Sequence, residues 1–144
     1  MQILEKLKER WHDIDYPFLI HSTGVLRFSE ITKQKSVDLS EVKSGDVVAL
    51  IGDFDPQSIL TLLQLIDKDV ILVPLTVDTR FQHEYFFEAA LVDVVIDGDE
   101  VKRINHRLKH EFIDSLRSKE HAGLVLFSTG TTGRPKAVLH DLTL

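Results

Sequence analysis

Val47-Val48-Ala49-Leu50-Ile51 is an uninterrupted apolar run dense in β-branched residues, and three more runs of this kind follow at Val70–Val73, Val94–Ile96 and Leu124–Phe127. A strand with one wet face alternates polar and apolar residues, whereas a continuous run needs cover on both faces. Helical spacing fills the intervals. Ile59, Leu62, Leu63 and Ile66 fall at i, i+3, i+4 and i+7, with Leu60 and Leu65 widening the stripe, so this helix is read as deeply buried. Asp55-Pro56 marks its start: a carboxylate can cap free N–H groups, and proline in the first turn has no donor to orphan. Thr79 and Gln82 fit a capping box ahead of Phe81, Tyr85, Phe86, Ala89 and Ala90. Leu108, Phe112 and Leu116 stack at four-residue spacing on one more helix. Strands alternating with helices predict an α/β fold, a mainly parallel sheet flanked by helices and joined by right-handed crossovers. The four runs should be adjacent strands of that sheet, the second stopped by Pro74.

Upstream, Ile3, Leu4, Leu7 and Trp11 place a short amphipathic helix over 2–12. Phe18–His21 and Val25–Phe28, separated by Ser22-Thr23-Gly24, read as a short N-terminal hairpin. Residues 29–43 are mostly polar and helical in part, and Ser44-Gly45-Asp46 forms a turn into the first long strand. No repeat or linker interrupts the 144 residues, which are read as a single domain, 1–144.

Composition removes several function classes. A net charge of −6 gives no field that would attract nucleic acid or an anionic membrane. The absence of cysteine excludes a disulfide scaffold, a thiolate metal site and a cysteine nucleophile. Glu5 and Glu9 argue against a transit peptide, and no apolar run approaches the ~18 residues of a membrane span. A cytoplasmic address is the expectation.

The chemistry-bearing segment follows the fourth run: Ser128-Thr129-Gly130-Thr131-Thr132-Gly133-Arg134-Pro135-Lys136. Ligands of open parallel sheets lie beyond the carboxyl ends of strands, where this loop begins. Two glycines allow close backbone approach and left-handed turns that aim N–H groups at an anion. Four hydroxyls add donors without bulk, and Lys136 supplies a mobile positive charge suited to a polyphosphate. A polar surface loop is the plainer reading, but this arrangement arises by chance only about once in 10⁸ starting positions at ordinary residue usage. It is not a Walker A loop, because proline precedes Lys136 and Ala137 follows it.

With its preceding strand, the segment LVLFSTGTTGRPKAV resembles the hallmark loop of the adenylate-forming superfamily, which includes acyl-CoA synthetases, peptide-synthetase adenylation domains and luciferases. GDVVALIGDFDPQSILTLLQLIDKDVILVPLTVD is similar to that family's early strand–helix–strand segment, and STGVLRFSEI to its still earlier hairpin-then-helix stretch. The resemblance covers nearly the whole chain, with only the loop highly specific. Ala137 stands where the family usually has glycine, and Lys68-Asp69 where it usually has Ala-Gly. The family's later motifs, for the adenine pocket, ribose, hinge, catalytic lysine and acyl pocket, do not occur before Leu144.

The resemblance implies the fold of the N-terminal subdomain of an adenylate-forming enzyme. It also implies an AMP-forming acid-thiol ligase, which joins a carboxylate to ATP with release of pyrophosphate and then passes the acyl group to CoA or a carrier thiol. Ser128, Thr129, Gly130, Thr131, Thr132 and Gly133 would hold the β- and γ-phosphates, and Lys136 would neutralise charge developing on pyrophosphate; Mg²⁺ is expected with the nucleotide. No catalytic or metal-ligating residue is assigned within the chain. It is expected to be an N-terminal portion, inactive alone, and to self-associate through apolar faces and a sheet edge left bare after the fourth strand. The alternatives are a non-catalytic nucleotide- or phosphate-binding module, or an interaction protein that keeps the fold without the chemistry.

Other candidates carry less. His106 and His110 could face one way on a helix as zinc ligands do, but no HExxH pattern surrounds them, and a solvated basic face is the preferred reading. His83-Glu84 lacks a second histidine. Residues 101–121 are basic without aromatic interleaving, and read as an ordinary exposed helix with its strand. Asp97-Gly98-Asp99 is turn chemistry first, and Ser128 has no His/Asp constellation that would make it a nucleophile.

Overall fold

A computed structural model describes residues 1–104, 106, 108–129 and 133–143. In chain order the elements are α1 (Ile3–Trp11), β1 (Leu19–His21), β2 (Gly24–Leu26), α2 (Phe28–Ile31), β3 (Val47–Ile51), α3 (Pro56–Asp67) and β4 (Ile71–Leu75). After a 3₁₀ segment at Val77–Gln82 come α4 (His83–Ala89), β5 (Val94–Asp97), β6 (Glu100–Arg103), α5 (Glu111–Lys119), β7 (Gly123–Ser128) and β8 (Lys136–Asp141). β1 and β2 form the expected hairpin.

The main sheet has the order β6-β5-β3-β4-β7-β8. Its four central strands, β5, β3, β4 and β7, are the four apolar runs, adjacent and parallel. Every residue of β3 is buried, as a strand covered on both faces requires. On one face Val47, Ala49, Ile51, Ile71 and Val73 pack with Phe86 of α4 and Ile113 and Leu116 of α5. On the other, Val48, Leu50, Leu72, Val94 and Ile96 pack with Leu65 of α3 and with Val37 and Val42. The architecture is a three-layer α/β fold with a mixed sheet.

Several local expectations need correction. Both outer strands are antiparallel and were not anticipated. β6 follows β5 through the Asp97-Gly98 turn, and β8 returns along β7 from Ser128↔Lys136 to Gly123↔Asp141. The edge of β7 expected to be bare is therefore paired, so it is not available for pairing between copies. Pro74 lies inside β4, opposite Leu50, and does not end it. Its missing N–H costs no ladder bond: residue 74 faces the β7 side, where pairing stops at Leu72↔Leu124. Thr79 and Gln82 form no capping box. Thr79 Oγ1 instead donates to Thr76 O at 2.9 Å within the 3₁₀ segment, and α4 begins at His83. On α5 the buried face is Ile113 and Leu116, whereas Leu108 precedes the helix and Phe112 is 61% exposed. On α3, Leu60, Thr61, Leu63 and Leu65 are the buried residues, and Ile59, Leu62 and Ile66 are half-buried at its margin.

The start of α3 follows the sequence reading. Asp55 accepts from Ser58 N at 3.0 Å and from Ser58 Oγ at 2.6 Å, with Pro56 in the first turn. Two N–H groups at the start of α1, those of Ile3 and Leu4, are satisfied by the Asp67 carboxylate at the end of α3.

Candidate functional site

The Ser/Thr/Gly-rich segment connects β7 to β8 at the carboxyl end of the parallel strands, the position in the fold where such sheets bind ligands. Of its predicted residues, Ser128 ends β7, Thr129 follows it, Gly133 lies in the turn with φ +84°, and Lys136 opens β8. All four are exposed. Gly133 is the position where left-handed backbone requires glycine. Gly130, Thr131 and Thr132 lie outside the described residues. Ser128 Oγ donates to Lys136 O at 3.4 Å, closing the base of the hairpin.

The loop is held from the side by α4, in contacts that the sequence reading missed. Tyr85 Oη donates to Pro135 O at 2.7 Å. The Arg134 guanidinium stands 5.1 Å from the centre of the Tyr85 ring, within cation–π range. Phe86 packs on Phe127 with centroids 4.2 Å apart, and Tyr85 lies 6.5 Å from the same ring. Phe127 is the penultimate residue of β7, so α4 grips the hairpin on both arms. The available signal was a pair of aromatics next to each other on a helix, which says nothing about a partner fifty residues away.

Acidic groups on the same rim are already engaged. Asp53 accepts from Val77 N at 3.0 Å, Asp55 caps α3, and Asp97 takes a bidentate contact from Arg80 at 2.8 and 3.0 Å. The Arg80 hydrogen bond holds the Asp97 carboxyl below the usual carboxylate range. Among the described residues no cluster of three His, Asp or Glu side chains could hold a metal ion. Beside the rim a 160 Å³ cavity is lined by Ile59, Leu62, Pro74, Leu75 and Leu126, where β7 diverges from β4.

The three histidines singled out in the sequence have structural partners. His106 is not on a helix. Its Nε2 meets Asp93 Oδ1 at 2.7 Å, so a solvated face is also the wrong description for it. His110 is the N-cap of α5, accepting from Phe112 N at 3.2 Å. Nor are Arg103 and Arg117 free surface charges. Each pairs with a carboxylate at 2.7 Å, Asp46 and Asp93 respectively. His83 is buried, its Nε2 3.0 Å from both Thr76 O and Thr79 Oγ1. Since the carbonyl can only accept, Nε2 carries a proton, and burial favours the neutral form of the ring.

No protein-family model and no curated protein sequence matches the chain. Solved structures do. The Klebsiella oxytoca NpsA N-terminal subdomain superimposes with a TM-score of 0.63 at 19% identity, over 96% of this chain and 39% of that one. The same subdomain in complex with 3-hydroxyanthranilyl-AMSN gives 0.62 at 20% identity, again over 96% and 39%. VinN in complex with L-aspartate gives 0.62 at 15% identity, over 96% of this chain and 46% of that one. At such identities the likeness establishes fold alone: the chain has the α/β fold of the NpsA N-terminal subdomain and of VinN. The chain spans about two fifths of the length of the structures it matches.

Proposed function

We propose that this chain is the N-terminal part of an AMP-forming acid-thiol ligase. The observation that carries the reading is the Ser128–Lys136 segment, a hydroxyl- and glycine-rich loop with a lysine, opening at the carboxyl end of a parallel strand in this particular fold. In this reading Ser128, Thr129, Gly130, Thr131, Thr132 and Gly133 hold the β- and γ-phosphates of Mg-ATP. Lys136 opposes the charge that builds on the leaving pyrophosphate, where stabilisation lowers the barrier directly. The co-substrates are a small-molecule carboxylate and CoA or a carrier thiol. NpsA solved with 3-hydroxyanthranilyl-AMSN and VinN solved with L-aspartate support a small acid as ligand in this fold. No helix of the described residues is long and apolar enough to cross a membrane, and the reading places the enzyme in the cytoplasm.

The 144 residues alone supply phosphate contacts and no means of holding a carboxylate in line with the α-phosphorus, so they form no acyl-adenylate by themselves. Alone they also self-associate, through the apolar surface around Phe54, Leu126 and Val138, which are 57%, 42% and 44% exposed. A monomer by light scattering at high micromolar concentration would contradict that. The reaction class is tested by product identity in the protein that contains this chain. Acid-dependent formation of AMP and pyrophosphate is expected. ADP and phosphate, or ATP binding without turnover on any of a broad panel of acids, would favour another nucleotide enzyme or a non-catalytic binding module.

A further inference from the structure

We propose that Tyr85 is a positioning residue for Lys136, acting through the peptide bond that joins Pro135 to it. This rests on the reading of the loop as a phosphate cradle. The Pro135 carbonyl that accepts from Tyr85 Oη at 2.7 Å belongs to the same planar unit as the Lys136 N–H. Fixing the direction of that carbonyl fixes the plane, and with it the course of the backbone into Lys136.

Pro135 needs such a partner. It lies one residue outside the β7–β8 ladder, whose last pair is Ser128↔Lys136. The Tyr85 ring is itself packed, with the Phe86 and Phe127 rings 5.9 and 6.5 Å away and the Arg134 guanidinium 5.1 Å from its centre. One aromatic side chain on α4 thus engages two consecutive residues of the loop, by a hydrogen bond and by its π face, just before the lysine. The alternation along β8 places Lys136 with Val138 on the α3 side of the sheet and Ala137 with Leu139 on the α4 side. A twist of the Pro135–Lys136 peptide would change the direction in which the Lys136 side chain leaves β8. Tyr85 therefore acts from the opposite face, without touching the ligand.

Tyr85→Phe keeps the ring and its packing and deletes only the donor. In the 144-residue chain, the Pro135 carbonyl-carbon NMR shift should move, and amide order parameters at Gly133, Arg134 and Lys136 should fall, while those of β3 and β4 stay as in wild type. Unchanged shift and order parameters would overturn the proposal, whatever the enzyme does. In the protein containing this chain, the same variant should lower kcat for acid-dependent ATP–pyrophosphate exchange about five- to tenfold, the worth of one neutral hydrogen bond, with the KM for the acid unchanged. Wild-type rates in the variant would overturn the positioning role. Failure of the wild type to exchange with any acid would instead strike at the functional reading, and the NMR result would still decide the Tyr85 contact. Tyr85→Leu, which also removes the surface under Arg134, should lower the order parameters further; a smaller effect than Tyr85→Phe would contradict the ring's part.

Discussion

Arg117 Nη2 of α5 lies 2.7 Å from Asp93 Oδ2, tying a helix on one face of the sheet to the residue that precedes β5. The same carboxylate accepts from Val47 N at 2.8 Å and meets His106 Nε2 at 2.7 Å, while Arg117 Nε donates to Gly45 O at 2.7 Å. One side chain, 17% exposed, thus joins the entries of two central strands to α5 and to the segment after β6. Truncating it leaves a strand-end N–H and a partly buried guanidinium without their acceptor. Asp93→Ala should destabilise the fold by about 3 kcal/mol, seen as a lower urea midpoint. A midpoint within experimental error of wild type would show the network to be dispensable.

Glu120 ends α5 with φ +54°, in the left-handed region where a Cβ is strained and glycine is not. It is exposed, so little packing is lost with its side chain. Glu120→Gly should therefore stabilise the protein, by about 0.5–1 kcal/mol, with a higher Tm. A lower Tm would mean that the side chain makes a contribution exceeding the strain. Asp69 and Leu91, with φ +55° and +56° after α3 and α4, are the same device.

Burial holds the His83 imidazole below its ordinary pKa. Between that depressed value and about 6.5, the unfolded chain takes up a proton that the folded one refuses, so acidification favours unfolding. The His83 contribution is complete above about pH 6.5 and is lost as the pH falls toward the folded pKa. His83→Gln should flatten the fall in unfolding free energy over that window relative to wild type. Parallel curves for the two proteins would show that the ring is not buried neutral.

The central strands were legible because burial on both faces leaves a signature no helix margin shares: Val47–Ile51 is apolar throughout and buried throughout. β6 and β8 were not, because Glu100–Arg103 and Lys136–Asp141 carry the mixed composition of edge strands, held in place by one neighbour each. Pro74 misled for a related reason. Whether a proline ends a strand depends on whether its N–H side has a partner, which is a property of the sheet and not of the segment. The proposal of a phosphate cradle rests on Ser128–Lys136 alone, since phosphate recognition uses consecutive backbone and hydroxyl donors. Its anchorage could not, because Tyr85 and Pro135 meet only through the packing of α4 on β7. The roles of Asp93 and Arg117 were hidden the same way, in residues whose local context reads as ordinary surface charge.

The most direct test of the account is acid-dependent ATP–pyrophosphate exchange by the protein that carries this chain, run with wild type and with Lys136→Ala beside a separate measurement of ATP affinity. Charge on pyrophosphate grows during the reaction, so the lysine should matter more to the transition state than to the bound nucleotide. The account predicts exchange that requires a particular carboxylic acid, with turnover in Lys136→Ala reduced by about a hundredfold or more, as for loss of a preorganised charge-stabilising group, and ATP affinity weakened far less. Exchange at wild-type turnover in Lys136→Ala, or a loss explained wholly by weaker ATP binding, would contradict it.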